Sequence, residues 1–204
     1  NAEPVGGKTE HWLQKLAQTY QCAVTGSIAV AEPSGVYNRL LFATPNDVAY
    51  YDKRHLFRMA GEDKRYQGGS ERVIVSWQGW RINLQVCYDL RFPVFSRNLG
   101  DYDLLLYVAN WPAVRRSHWR QLLLARAIEN QACVVGVNRI GSDANGIEYA
   151  GDSLAIAGDG QIIEDMKESK GAAQLVLNGE ELMRYRTQFP CHLDADNFEI
   201  STQS

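Results

Sequence analysis

The sequence predicts an α/β protein, a layered sandwich of two mixed β-sheets with helices on the outer faces, and three observations lead there. Short runs alternating apolar with polar residues recur along the chain, explicit turn chemistry separates them, and two longer segments carry apolar residues at helical spacing. In chain order, Thr9 to Tyr20 places Trp12, Leu13, Leu16 and Ala17 on one helical face, with Thr9 as its N-cap. Strands follow at Gly26–Val30, Arg39–Thr44, Val48–Lys53, Arg72–Trp77 and Arg81–Cys87. Pro33-Ser-Gly35, Thr44-Pro-Asn-Asp47 and Gln78-Gly79 lie between neighbours, so many strands should pair as antiparallel hairpins. Pro93 and Gly100 bracket a short helix, Phe92 to Leu99. After a strand at Asp103–Asn110, the second long helix, Ser117 to Gln131, carries Trp119, Leu122, Leu123, Ala127 and Ile128 behind a Ser117 cap. The remaining strands are Ala132–Arg139, Ser153–Ala157, Gln161–Glu164 and Gln174–Leu177.

Composition narrows the function classes. A chain of 204 residues without repeats or an interdomain linker reads as one domain, residues 1–204. A net charge of -3 with scattered charges provides no basic stripe for nucleic acid. No apolar stretch approaches the roughly 20 residues that span a bilayer, and the first residues carry no signal-peptide pattern, so the expectation is no membrane partner. Cysteines 22, 87, 133 and 191 show no metal-binding spacing, and a domain of this size needs no disulfide staples. Reduced thiols in the cytoplasm and no metal site are expected.

The run Arg81-Ile-Asn-Leu-Gln-Val-Cys-Tyr-Asp-Leu-Arg-Phe-Pro93 delivers Cys87 to the end of an apolar strand where the backbone must turn. Strand, sharp turn and helix form a nucleophile elbow, which projects a side chain into a cleft beside free backbone N–H groups. The competing reading is a buried structural cysteine. A second cluster, Tyr50-Tyr-Asp-Lys-Arg-His-Leu-Phe57, ends a strand on Lys53, which is either a solvated charge or, in a cleft, a functional ammonium. His55 reads as a packing or hydrogen-bonding residue, and Glu62 taken alone as a loop charge. Arg126, Glu129 and Asn130 share a helix surface, and an Arg126–Glu129 pair reads as support behind the site, the alternative being that Glu129 faces the cleft.

In this order, Lys53-x-His-Leu-Phe, Cys87-Tyr-Asp-Leu-Arg-Phe-Pro, Asn110-Trp-Pro and Ala125-Arg-Ala-Ile-Glu-Asn-Gln resemble the nitrilase, or carbon–nitrogen hydrolase, superfamily. The Cys-Tyr-Asp-x-Arg-Phe form with Lys-Arg-His-Leu-Phe ahead of it is most similar to the omega-amidase branch, the 2-oxoglutaramate amidases. The resemblance implies an α-β-β-α sandwich, a homodimer formed through helices, and a Glu–Lys–Cys triad working without cofactor. Cys87 then attacks an amide carbon, Lys53 and the Tyr88 backbone N–H hold the oxyanion, and Glu62 orients Lys53 or assists proton transfer. The triad's glutamate belongs to a Pro-Glu loop that no motif before Lys53 matches. Glu3, Glu10 and Glu32 have different surroundings and are not given its role. The expectation is a domain lacking its opening strand and glutamate-bearing loop, roughly 45 residues in family members.

Arg91, four residues after Cys87, suits a bidentate contact to a substrate carboxylate, the alternative being an ion pair with Asp89 or another acid on the same turn. Asn110 and Trp111 end an apolar strand at the same rim and are candidate walls of the acyl pocket, the alternative for Trp111 being simple packing. The reaction expected is hydrolysis of a small 2-oxo dicarboxylic acid monoamide, 2-oxoglutaramate or 2-oxosuccinamate, to the 2-oxo acid and ammonia. Two alternatives stand beside it: another branch of the superfamily acting on an aliphatic amide, N-carbamoyl compound or nitrile, or a non-catalytic scaffold of the same fold.

Overall fold

A computed structural model of the protein describes residues 2–200. Four strands, β1 (Glu3–Pro4), β2 (Val24–Glu32), β3 (Gly35–Ala43) and β4 (Val48–Asp52), form one sheet in chain order, with β1 parallel to β2 and the others antiparallel. The second sheet contains β5 (Ile74–Trp77), β6 (Trp80–Val86), β7 (Leu104–Ala109), β8 (Cys133–Asn138), β11 (Leu154–Ile156) and β12 (Ile162–Asp165). Its order is β12-β11-β8-β7-β6-β5; β6, β7 and β8 run parallel and both edges are antiparallel hairpins. A separate hairpin joins β9 (Ile140–Ser142) to β10 (Glu148–Ala150).

Alternation along the strands builds the layers, because successive side chains point to opposite faces. On β3, Leu40 and Phe42 face inward, where they meet Leu84 and Val86 of β6 and Leu104 and Leu106 of β7. Leu41 and Ala43 face outward onto Leu13 and Ala17 of α1 (Lys8–Tyr20). On β7, Leu105 and Tyr107 likewise face outward, onto Trp119, Leu123 and Ala127 of α3 (Arg116–Asn130). The layers are therefore α1, four-stranded sheet, six-stranded sheet, α3, as expected. The α3 layer sits close because position 136 lacks a side chain: a Cβ there would lie 2.6 Å from Leu123 Cδ1 and 2.9 Å from the Trp119 ring.

Several local expectations need correction. Thr9 does not cap α1; the helix starts one residue earlier, and the Glu3 carboxylate accepts from Thr9 N–H (2.8 Å) and Thr9 Oγ1–H (2.6 Å). Ser117 does not cap α3, because a 3-10 turn at Ala113–Arg115 runs directly into it and satisfies its first donors with its own carbonyls. The helix expected at Phe92 to Leu99 shrinks to α2, Pro93–Ser96, preceded by a 3-10 turn at Cys87–Arg91. Gln174–Leu177 alternates like a strand but is irregular, with no neighbouring ladder to join. The next segment forms α4 (Gly179–Gln188), capped by Asn178, whose Oδ1 accepts from Glu180 and Glu181 N–H groups.

Candidate active site

Lys53 and Cys87 follow strands of opposite sheets, β4 and β6. Cys87 has φ 46°, in the left-handed region that disfavours any residue with a Cβ, and opens the 3-10 turn. That backbone reverses direction immediately after Val86, so the side chain leaves the strand end at the cleft. The N–H of Tyr88 falls in the first turn, where it has no carbonyl partner within the helix.

Asp89 locks the elbow to the opposite sheet. Fully buried, its carboxylate accepts from Val86 N–H (3.0 Å), from the Tyr51 hydroxyl of β4 (2.8 Å) and from His55 N–H (3.0 Å), and lies 2.7 Å from His55 Nδ1. Burial, then the adjacent Asp89 charge, raises the Tyr51 phenol well above its usual range and keeps it a donor. His55 stacks on Phe92 at 3.9 Å, confirming a packing and hydrogen-bonding role. Because Asp89 faces these groups, the alternative Arg91–Asp89 ion pair does not form; Arg91 Nη2 lies 3.0 Å from His118 Nδ1.

Lys53 is 3% exposed, which rules out the solvated strand-end charge. Its Nζ donates to Glu62 Oε2 at 2.6 Å. Glu62 also accepts from Phe57 N–H (2.7 Å) and Asn38 Nδ2–H (3.0 Å). Burial works to raise the Glu62 pKa, but the Lys53 charge and these donors outweigh it and hold the carboxyl below its ordinary range. Glu62 is thus not a loose loop charge but the fixed holder of Lys53.

Burial pushes the Cys87 thiol up to about 11, against the pull of the Lys53 ammonium; Glu62 and Asp89 push the same way as burial. The resting residue is a thiol, so reaction at neutral pH requires a proton acceptor. Its Sγ lies 3.9 Å from the Asn110 carbonyl. Glu3, Glu10 and Glu32 are engaged elsewhere, with Thr9, Gly6 N–H and Arg39 respectively.

The cleft over Cys87 holds about 160 Å³. Phe57, Tyr88, Arg91, Asn110 and Trp111 line it; Lys53 and Glu62 are not in that lining but are buried and joined to it through Phe57, whose N–H donates to Glu62. Asn110 is exposed at the rim. Trp111 is largely core, 5.5 Å from the Trp119 ring, and contributes one edge to the wall. Asn138 fixes this loop: its Oδ1 accepts from Trp111 N–H (2.7 Å) and its Nδ2 donates to the carbonyls of Trp111 (3.2 Å) and Gly151 (2.8 Å). Behind the elbow, Arg126 donates to the Leu90 carbonyl (2.6 Å) and to Glu129 (2.8 Å), the structural support expected of that pair. Sequence reasoning missed Asp89 as the cross-sheet tie, Asn138 as the loop anchor, and Arg115, Ile147 and Tyr149 in the cleft wall. Only Asp89, inside the cysteine motif, carried any signal.

Comparison with known proteins accords with this geometry. The chain is 52% identical over 192 residues to omega-amidase YafV of Escherichia coli, covering 93% of this chain and 75% of that protein. It is 33% identical over 194 residues to 2-oxoglutaramate amidase of Bacillus subtilis, covering 93% of this chain and 74% of that one. A solved structure of a carbon–nitrogen hydrolase superfamily protein from Xanthomonas campestris, with an arsenic adduct in its active site, superposes with a TM-score of 0.96 at 46% identity, covering 98% of this chain and 79% of that chain. The family profile described as carbon-nitrogen hydrolase matches residues 1–182, and the chain belongs to that family.

Proposed function

We propose that this protein is an omega-amidase, hydrolysing the terminal amide of a small 2-oxo dicarboxylic acid monoamide such as 2-oxoglutaramate to the 2-oxo acid and ammonia. The observation that carries the reading is Cys87 on its strained elbow, at a cleft beside the buried Lys53–Glu62 pair, in a chain 52% identical to an omega-amidase.

An amide is a poor electrophile and ammonia a poor leaving group, so the site must supply a nucleophile, an oxyanion cradle and protons. Cys87 Sγ attacks the amide carbon while its proton passes to the general-base glutamate of the Glu–Lys–Cys triad, which is not identified among the described residues. The C–O π electrons move onto oxygen, where the Lys53 ammonium and the Tyr88 N–H receive them. Collapse of this intermediate, with proton delivery to nitrogen, breaks the C–N bond and expels ammonia, leaving a thioester on Cys87. Water attacks the thioester through a second oxyanion at the same donors and releases the acid and the thiol. Glu62, held by three donors and below the ordinary carboxyl range, positions Lys53. The base role is given to none of Glu3, Glu10 and Glu32.

Arg91 pairs with the substrate carboxylate, and Asn110 and Trp111 wall the acyl chain. A second reading, hydrolysis of an uncharged aliphatic amide, draws on the apolar side chains of Phe57, Trp111 and Ile147 in the same cleft. The protein acts as a cytoplasmic homodimer: the free thiols support a reducing compartment, and exposed Ile128 on α3 and Met183 on α4 support pairing through helices. Among the described residues no helix is long and apolar enough to cross a membrane. Ammonia release from 2-oxoglutaramate and from pentanamide decides between the substrates. Preference for the first supports the proposal, and preference for the second replaces it with the aliphatic reading.

A further inference from the structure

The cleft wall contains two charged residues, both arginines and both without an acidic partner among the described residues. Six arginines elsewhere, Arg39, Arg72, Arg81, Arg116, Arg120 and Arg186, each bind a carboxylate within 3.0 Å, and Arg54, Arg65, Arg97 and Arg139 donate to backbone carbonyls; among the described residues the cleft arginines have neither kind of acceptor. Arg91 Nη2 lies 3.0 Å from His118 Nδ1, an imidazole rather than a carboxylate. Arg115 contacts the Met59 thioether at 3.4 Å, and sulfur is a weak acceptor that an anion readily displaces. Unpaired positive charge facing a cleft attracts an anionic ligand.

Trp111 organises both cations. The Arg91 guanidinium lies 4.9 Å from its ring centroid, and its indole Nε1–H donates to the Arg115 carbonyl at 2.8 Å. Arg115 ends the 3-10 turn Ala113–Arg115, so its backbone is fixed on both sides, by that turn and by the indole. Its guanidinium also lies 5.7 Å from the Phe57 ring centroid. Phe57 in turn donates its N–H to the Glu62 oxygen that holds Lys53.

We propose that Arg115 is a specificity-determining residue whose guanidinium, with that of Arg91, receives the carboxylate and 2-oxo oxygens at the far end of the substrate while the amide lies at Cys87. The inference rests on the omega-amidase reading and extends it. A 2-oxo acid presents three acceptor oxygens at one end, more than one planar guanidinium fork saturates. The second arginine accounts for selection of a 2-oxo acid amide over a neutral amide of equal length.

The test is steady-state hydrolysis of 2-oxoglutaramate and pentanamide by the protein and its Arg115→Gln and Arg115→Lys variants, with calorimetric binding of 2-oxoglutarate alongside. For Arg115→Gln, the kcat/KM ratio of 2-oxoglutaramate to pentanamide falls by on the order of ten- to a hundred-fold, the range of one charge-assisted contact. The loss lies mainly in KM, and Arg115→Lys recovers part of it. An unchanged ratio overturns the inference, whether both rates fall together or neither moves. If the unaltered protein does not prefer 2-oxoglutaramate, the omega-amidase reading fails. The calorimetric arm then judges Arg115 alone: weaker 2-oxoglutarate binding in Arg115→Gln supports the carboxylate contact, and equal binding removes it.

Discussion

Lys53 Nζ and Glu62 Oε2 stand 2.6 Å apart, both withdrawn from solvent, and Glu62 is at the same time anchored by Phe57 N–H and Asn38. Lys53 Nζ is thus held in place without substrate, and in the proposed mechanism stabilising charge on the substrate oxygen then needs little reorganisation at the moment of reaction.

Replacing Lys53 with Ala therefore lowers kcat by on the order of a hundred- to a thousand-fold, the usual effect of losing an oxyanion donor. Arg at this position restores little, because a planar fork does not reproduce a point ammonium in a buried space. Circular dichroism should show the fold retained in both variants. Near-normal hydrolysis by either removes Lys53 from the mechanism.

The same pair predicts an acid limb of stability. Glu62 has its folded pKa below its unfolded value, so its contribution is present above the unfolded carboxyl pKa and is lost as pH falls through the folded one. Thermal unfolding followed downward from neutral pH should show a flatter acid limb for Glu62→Gln than for the parent. Parallel curves contradict the assigned shift.

Cys87 is predicted to be the thiol whose alkylation stops turnover. Because burial pushes it up to about 11, inactivation at limiting iodoacetamide should accelerate about tenfold per pH unit through the neutral and mildly alkaline range. Cys133, 3% exposed and likewise pushed up to about 11 by burial, should stay unlabelled. Activity loss that follows mass gain on Cys22, Cys133 or Cys191 removes Cys87 from the chemistry.

Asp89→Asn removes the charge that ties Val86, Tyr51 and His55 together across the two sheets. Stability should fall by about 2–3 kcal/mol, as for lost hydrogen bonds to a charged group, with a drop in kcat because the elbow and the Lys53 loop share this anchor. By contrast, Gly136→Ala should destabilise by about 1–3 kcal/mol through the Leu123 clash while leaving KM for the folded enzyme unchanged. Denaturant unfolding with paired kinetics separates the two.

The layers were legible because alternation within one strand, Leu40 and Phe42 against Leu41 and Ala43, reports which face meets the other sheet and which meets a helix. Gln174–Leu177 shows the limit of that signal: the pattern describes a side-chain preference, whereas a strand also needs a partner for its backbone. The cysteine elbow was legible because strand, turn and Pro93 are local. The burial of Lys53 was not, since it depends on Glu62 nine residues later and on Asn38 from β3. Asp89 serves Tyr51 across 38 positions, and sequence spacing alone offered only the nearby Arg91 as its partner.

In the proposed mechanism amide cleavage passes through a thioester on Cys87. Rapid acid quench of the protein during 2-oxoglutaramate turnover, followed by intact mass and peptide mapping, tests it directly. A 4-carboxy-4-oxobutanoyl adduct is expected on the peptide containing Cys87, absent from a Cys87→Ser variant whose ammonia release is lower by on the order of a thousand-fold or more. Steady ammonia release by Cys87→Ser at the parent rate, or an adduct on another residue, would contradict it.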